Sequence, residues 1–314
     1  MKKNHKFKVI IATFAMAVGL GSCSDDDPMP ENNSKTIVQL VSEDPDFSLL
    51  RTAVVRAGLV ETLSASGDFT VFAPTNAAFI AAGFTTDASI NAVEVNTLKS
   101  ILMYHVLGSR VMSNSIPTAT NTAVETSTEL SVYVTKSNTG VSVNGAKVIQ
   151  ADVMAQNGVI HAIDKVMLPP MGNIVEVAQD NANFSLLVAA VLRASEGSVN
   201  VAQVLQGAGP MTVFAPTNQA FINAGFANEA AIMAALPATL TSILTTHVIP
   251  SRIYSTMLTE GYTLETVAEN NLTFSLQSGA TVKGPGNSSA SNITSTDMTV
   301  DNGVIHVIDQ VLLP

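Results

Sequence analysis

The order of hydrophobic and polar residues predicts that helices come first in the chain and strands follow. Helical spacing places four residues on one face: Leu98, Ile101, Leu102 and His105. Over residues 130–135 the period changes to two, which predicts a strand with one buried face. Residues 159–168 are largely apolar on both faces, so we expect a central strand that is buried on both sides. This order is typical of an α+β fold.

Local signals predict where some of these elements begin and end. Asp46 can cap the start of an early helix, and Gly58 can end it. One face of that helix carries Phe47, Leu50, Val54 and Ala57. The pair Asn157-Gly158 predicts a tight turn just before the central strand.

The same pattern occurs twice in the chain. Residues 70–79 (TVFAPTNAAF) recur as residues 212–221 with nine of ten positions identical, and residues 157–169 recur as residues 302–314 with ten of thirteen identical. A period near 140 residues exceeds the roughly 20–50 residues of a solenoid repeat, so it indicates tandem domains. We expect two α+β domains, over residues 35–169 and 170–314, joined by a short Pro-Pro linker.

The N-terminus has the features of an export signal. Basic residues between Lys2 and Lys8 precede an apolar run of twelve residues, which is short for a membrane-spanning helix of about 20 residues. The run ends in Leu-Gly-Ser-Cys, which resembles the lipobox of bacterial lipoproteins. We therefore predict a signal peptide over residues 1–22, lipidation of Cys23, and a membrane anchor at that residue.

Residues 23–34 are predicted to be an acidic tether between the anchor and the first domain. Residues 24–27 (SDDD) look like the acidic tag that sends some Gram-negative lipoproteins to the cell surface, although a purely solvated tether is the alternative. We expect an outer-membrane, lipid-anchored protein exposed at the bacterial cell surface.

Composition and charge exclude several classes of protein. The chain has 314 residues and a net charge of −10, and without its first 22 residues 11 basic residues face 25 acidic ones, a net charge of −14. Such a surface repels phosphate backbones, so we expect no nucleic-acid partner. The single Cys excludes a disulfide framework within the chain and Cys-rich zinc sites.

The histidines after the signal peptide are the first candidates for catalytic chemistry. They are His105, His161, His247 and His306, and their spacing matches no metal-binding motif. His161 and His306 each precede an Asp by three residues, but odd spacing on a strand points the two side chains to opposite faces. Nucleophile-elbow and phosphate-loop motifs are also absent. We therefore predict buried, hydrogen-bonded histidines in a protein that is not an enzyme and has no metal site and no cofactor.

The repeated motifs carry a resemblance to a known family. The TVFAPTN segments, the Tyr104-His105 pair and the two NGVIH segments are similar to the fasciclin (FAS1) domain. The resemblance implies, for each copy, a wedge of two small β-sheets covered by helices. It also implies an extracellular or surface-anchored protein of adhesion and matrix binding, in which tandem copies are usual.

The resemblance also implies candidate binding residues, because a Tyr-His helix and an Asp-Ile stretch are implicated in receptor binding by animal fasciclin proteins. The matching positions are Tyr104, His105, Asp152 and Val153 in the first copy, and His247, Asp297 and Met298 in the second. A role in maintaining the fold stays open for all seven, since their periodicity predicts partial burial. Thr246 replaces the tyrosine in the second copy, which favours the first copy as the binder.

Two classes of function remain after these exclusions. The first is a non-catalytic adhesion protein that contacts a protein or extracellular-matrix ligand. The alternative is a glycan- or nutrient-binding accessory protein of the outer membrane. Sugar binding normally uses exposed aromatic side chains, and 5% aromatic residues with no Trp favour the protein partner.

Overall fold

The computed structural model describes residues 35–314. The predicted signal peptide, the tether and Cys23 lie outside the described residues. The helices of the first domain are α1 (Ile37–Glu43), α2 (Ser48–Arg56), α3 (Val60–Ser64), α4 (Asn76–Ala81), α5 (Asp87–Asn91) and α6 (Val95–Tyr104). Those of the second are α7 (Ile174–Asp180), α8 (Ser185–Ala194), α9 (Val201–Leu205), α10 (Asn218–Asn223), α11 (Glu229–Ala234) and α12 (Pro237–Thr246). No helix of residues 35–314 has the length and apolar character needed to cross a membrane.

Each domain also contains seven strands. In the first they are β1 (Phe69–Pro74), β2 (Val106–Leu107), β3 (Thr122–Glu125), β4 (Ser131–Ser137), β5 (Gly140–Val143), β6 (Ala146–Ala155) and β7 (Gly158–Ile163). In the second they are β8 (Met211–Pro216), β9 (Val248–Ile249), β10 (Thr263–Glu265), β11 (Asn271–Ser275), β12 (Thr281–Lys283), β13 (Ser291–Val300) and β14 (Gly303–Ile308). The mixture of helices and sheet confirms the predicted α+β class.

The strand order in the first domain is β2-β1-β7-β6-β5-β4-β3, and the second domain repeats it with β9-β8-β14-β13-β12-β11-β10. The long strand β6 pairs with β7 along one side and with β5 at its start, so it joins two smaller groups of strands. The central strand β7 lies between β1 and β6, and every residue in it is buried. It ends at Ile163, earlier than expected, because the Asp164 carboxylate accepts a hydrogen bond from the Lys147 N–H in place of a further strand pair.

The helix starts and ends follow local capping chemistry, with one difference from prediction. Asp46 does not cap α2. The side chain of Asp44 instead accepts a hydrogen bond from the Asp46 N–H, which starts a short 3-10 turn, and α2 begins only at Ser48. Gly58 follows α2 with a φ of +69°, as its predicted role in ending the helix requires.

Each domain has an apolar core on both faces of its central strands. In the first domain, Ile160 packs with the helices, while Ile163 packs with side chains of β4 and β5 on the other side. The second domain has the same two clusters, with Ile305 in one and Ile308 in the other. Full burial of one such side chain contributes about 1.5–3 kcal/mol, so the two-sided core stabilises the strands that carry the candidate residues.

A polar contact joins the two domains through the segment that follows β9. The Arg252 guanidinium lies 3.9 Å from the ring centre of Tyr133, and the Asn121 side chain donates to the Arg252 carbonyl at 2.6 Å. The Tyr254 hydroxyl donates to Oδ1 of Asn144 at 3.2 Å. Arg252, Tyr254 and Asn144 are all buried, so the two domains share an interior polar network.

Candidate functional site

Tyr104 lies at the C-terminal end of α6, entirely inside the first domain. Its hydroxyl donates to the Ser131 carbonyl at 2.9 Å and accepts from Nδ2 of Asn144 at 2.8 Å. Burial raises the pKa of Tyr104 well above its usual value, so the phenol stays protonated. In the second domain the Thr246 hydroxyl accepts from Nδ2 of Asn270 at 2.9 Å, which gives it a comparable interior role.

His105 and His247 follow the two equivalent helices and have matching partners. Nδ1 of His105 donates to the Ile101 carbonyl at 2.8 Å, and Nε2 accepts from the Met167 N–H at 3.0 Å. His247 makes the same bonds to Ile243 and Leu312, at 2.8 and 2.9 Å. Burial lowers the pKa of each ring to about 4, so both are neutral at pH 7. The predicted burial and hydrogen bonding of these histidines are confirmed.

His161 and His306 are buried and hydrogen-bonded in the same way on strands β7 and β14. Nε2 of His161 donates to the Val111 carbonyl at 2.8 Å, and Nδ1 accepts from the Asp152 N–H at 3.2 Å. Asp164 does not contact this ring and bonds instead to the Lys147 backbone. The prediction that His161 and Asp164 point apart is therefore confirmed. Neither histidine has a free ring nitrogen for use as a general base.

Asp152 occupies an irregular turn within β6 and has a φ of +60°. Its Oδ1 accepts from the Ser113 N–H at 2.8 Å, and its Oδ2 accepts from the Ser113 hydroxyl. Burial opposes the charged form, but the two Ser113 hydrogen bonds outweigh it and hold the pKa of Asp152 below its usual range. The side chain remains 31% exposed, so a charged carboxylate is presented at the surface.

Asp297 has the same local geometry in β13, with a φ of +67° and hydrogen bonds from Ser255. Its surroundings differ, because Nζ of Lys165 from the first domain lies 2.5 Å from Oδ2 and the side chain is only 4% exposed. Burial again opposes the charged form. Electrostatic attraction to the His306 ring and to Lys165 outweighs it and holds the pKa of Asp297 below its usual range. The second carboxylate is therefore covered by the first domain.

Val153 and Met298 follow the two aspartates and point toward the helices. Both are half-buried and pack against the helix-side core of their own domain. Val153 pairs with Ile160, and Met298 pairs with Ile305. Their packing holds the strand in place next to each aspartate. Because both side chains are half-buried, they expose little apolar surface to a binding partner.

An apolar cavity lies beside each helical histidine, and no sequence pattern indicates it. The first has a volume of about 170 Å³ between α1, α2 and β1, with His105 in its wall, and the second, beside His247, has about 90 Å³. Most of the lining residues are aliphatic. Among the described residues, no group of three or more His, Cys, Asp or Glu side chains is placed to hold a metal ion.

Comparison with known proteins identifies the family. A model of the fasciclin domain matches residues 45–169 and again residues 182–314. The chain belongs to the fasciclin family. It is 43% identical over 141 residues to protein sll1483 of Synechocystis, a match that covers 45% of this chain and 77% of that protein.

Animal proteins match a larger share of this fasciclin chain. The transforming growth factor-beta-induced protein ig-h3 of Sus scrofa is 30% identical over 255 residues, and periostin of Homo sapiens is 28% identical over 273. These matches cover 79% and 82% of this chain but only 35% and 29% of the animal proteins. A solved FAS1 domain pair from the insect cell adhesion molecule Fasciclin I is similar at 18% identity and a TM-score of 0.41, covering 85% of this chain and 96% of that one.

The two fasciclin domains present their equivalent candidate residues differently. Tyr104, His105 and His247 lie inside their domains, and Asp297 lies beneath Lys165. Asp152 alone among these five has a polar side chain that reaches solvent to a substantial extent. Lys165 sets this difference, since Ser113 and Ser255 make equivalent bonds to the two aspartates, and no sequence pattern indicates these contacts. The Asp152–Ser113 bond joins residues 39 apart, which no local pattern records.

Proposed function

We propose that this fasciclin protein is a non-catalytic adhesion protein that binds a protein or matrix partner at the surface of a bacterial cell. The observation that carries the proposal is the fasciclin match of both copies. The hydrogen bonding of the histidines supports the non-catalytic part, because both ring nitrogens of each buried histidine already have partners.

We place the binding surface on the first domain, around Asp152. Its carboxylate is charged and partly exposed, and its position is fixed by Ser113. The equivalent Asp297 forms an ion pair with Lys165 and belongs to the contact between the domains. One domain therefore presents the surface, and the other holds it in a defined orientation.

Export and anchoring complete the proposal. The apolar N-terminal run and the Leu-Gly-Ser-Cys box support lipidation at Cys23 and display at the outer membrane. The acidic tether would hold the two domains away from the lipid surface.

Cell attachment tests the function directly. Bacteria that display the full-length protein are applied to surfaces coated with fibronectin, collagen or bacterial envelope proteins, and attachment is compared with that of cells lacking it. We expect saturable attachment to a protein surface that Asp152→Lys reduces. Asp180→Lys is the matched control, because Asp180 is exposed on the second domain and the charge change is the same.

Two results would contradict this proposal. Saturable binding to a glycan array without any protein attachment would favour the glycan-binding alternative. Turnover of an ester or glycoside substrate that is abolished by changing a single His or Asp would show that the protein is an enzyme.

A further inference from the structure

A cleft of about 580 Å³ lies where the first domain meets the second. Its wall on the first domain includes Val141, Lys147 and Ile149, and its wall on the second includes Thr256, Thr259 and Leu276. Ligand sites typically have volumes of roughly 300–1,000 Å³ and are frequent at domain interfaces. The size and place of the cleft are therefore those of a binding site.

Strands β5 and β6 both line the cleft, and they separate beside it. Strand β5 pairs with β6 only through Ser142 with Lys147 and Val143 with Ala146, whereas β6 continues to Ala155. Beyond Lys147, this side of β6 has no strand partner in the part of the chain that the structure describes. An open strand edge offers unpaired backbone N–H and C=O groups to an added extended chain.

The side chains around this edge combine apolar surface with the ammonium group of Lys147, and the one carboxylate in the lining, that of Asp164, already accepts a hydrogen bond from the Lys147 N–H. Ile149 is 58% exposed and Leu276 is 40% exposed, on opposite walls of the cleft. Lys147 is exposed and forms no ion pair within residues 35–314. An ammonium group without an ion-pair partner, in a protein with a net charge of −10, complements a carboxylate supplied by a partner.

Over the described part of the chain, the equivalent strand edge in the second domain is also unpaired beyond Asn292, but the residue that corresponds to Lys147 there is uncharged. Strands β12 and β13 are joined there by a longer connection, in which Asn287 donates to the Val311 carbonyl and accepts from the Leu313 N–H. Asn292 stands at the position of Lys147, and its side chain donates to the Asp309 carboxylate at 2.6 Å. The open edge and the cation therefore occur together only in the first domain among the described residues.

We propose that this cleft binds an extended, acidic peptide segment of a partner protein, which adds a strand to the open edge of β6 and places a carboxylate at Lys147. Aliphatic side chains of the segment would pack between Ile149 and Leu276. The ion pair of Lys165 with Asp297 and the hydrogen bond of Ser142 with Thr256 hold the second wall in place. This inference rests on the proposed function, because it gives the protein partner its chemistry.

Peptide binding to the full-length protein in mild detergent tests the inference. The probes are fluorescent, acetylated octapeptides of alternating Val and Thr with one central Asp, one central Lys, or two Pro residues that prevent strand pairing. We expect saturable binding of the Asp peptide by fluorescence anisotropy. The Lys and Pro peptides should bind at least about tenfold more weakly, since one lacks charge complementarity and the other lacks backbone donors.

Charge reversal at the cleft provides the decisive comparison. Lys147→Glu should weaken binding of the Asp peptide and strengthen binding of the Lys peptide. Lys283→Glu, an equal charge change at an exposed residue of β12, should change neither affinity. Circular dichroism confirms that both variants are folded. The inference is overturned if no peptide binds saturably, if the two variants behave alike, or if the neutral tetrasaccharide cellotetraose binds and the peptides do not. Attachment of cells that depends on Asp152, without peptide binding, would overturn this inference and leave the proposed function standing.

Discussion

Lys165 of the first domain lies 2.5 Å from the carboxylate of Asp297 in the second, and the two residues are 132 positions apart in the chain. The Lys165 ammonium also donates to the hydroxyls of Ser255 and Thr296. Its counterpart in the second domain is Gln310, which cannot form such a pair. The contact therefore uses a position at which the two copies differ, and it turns a repeated local structure into an interface between domains.

Removal of the charge on Lys165 should weaken this interface. Lys165→Met keeps most of the side-chain stem but leaves the buried Asp297 without a cation. Loss of one partner of a buried pair costs about 3–5 kcal/mol, and we expect about 1–3 kcal/mol here because the ammonium is 37% exposed and solvent screens it. Denaturant unfolding measures the change. Lys283→Met, at an exposed residue of β12, is the control, and equal stability of the two variants would contradict the prediction.

Gly145 is a second point at which the domain contact can be tested. Its φ is +78°, and a Cβ atom there would collide with the Asp297 carboxylate. We expect Gly145→Ala to destabilise the protein by more than about 1 kcal/mol, since it combines backbone strain with displacement of a buried charge. Gly140→Ala is matched to it, because Gly140 also has a positive φ but has open space around it. Thermal unfolding measures the change. If both substitutions lower the melting temperature equally, the collision with Asp297 adds nothing to the loss of stability.

Replacement of Cys23 tests the proposed membrane anchor. Cys23→Ser removes the thiol to which lipid would be attached, and acyl chains contribute about 0.8 kcal/mol per buried CH₂ to membrane binding. We expect the variant to appear in the soluble fraction after cell lysis and ultracentrifugation. Replacement of Asp25, Asp26 and Asp27 by Ala is the control: it should keep the protein with the membrane but reduce its accessibility to protease on intact cells. A Cys23→Ser protein that still sediments with lipid would refute the anchor.

Much of each domain could be predicted from the sequence because its signals are local or repeated. The helical spacing that ends at His105 and the alternation over residues 130–135 both indicate which side chains are buried within one domain. The turn at Asn157 is likewise a local signal. The start of α2 was predicted incorrectly, since Asp44 and Asp46 compete for one capping role and Pro45 allows a 3-10 turn before the helix. The covering of Asp297 by Lys165 and the cleft beside Lys147 depend on how two domains pack, and no periodicity within one domain encodes that.

Truncation of His105 should test whether the residue serves the fold. His105→Ala removes two buried hydrogen bonds, so we expect a loss of about 1–3 kcal/mol in the free energy of unfolding. Calorimetry measures it, and His247→Ala should behave alike because its bonds are equivalent. An unchanged melting temperature together with loss of cell attachment would instead assign His105 to the binding site.

The same two histidines predict how stability depends on pH. Their pKa values are about 4 in the folded protein, against about 6.5 for an unfolded histidine, so the unfolded state binds protons first as the pH falls. Their contribution to the free energy of unfolding is complete above pH 6.5 and is lost progressively toward pH 4. The total loss is about 3 kcal/mol for each ring. His306, whose pKa burial also lowers, adds to the loss with the same sign. The lowered pKa of Asp297 acts in the same direction but only below about pH 4, so the two effects occupy separate windows. Denaturant unfolding between pH 8 and 4 should therefore show falling stability in the wild type and a shallower slope in His105→Ala, and equal slopes would contradict the assignment of neutral, buried rings.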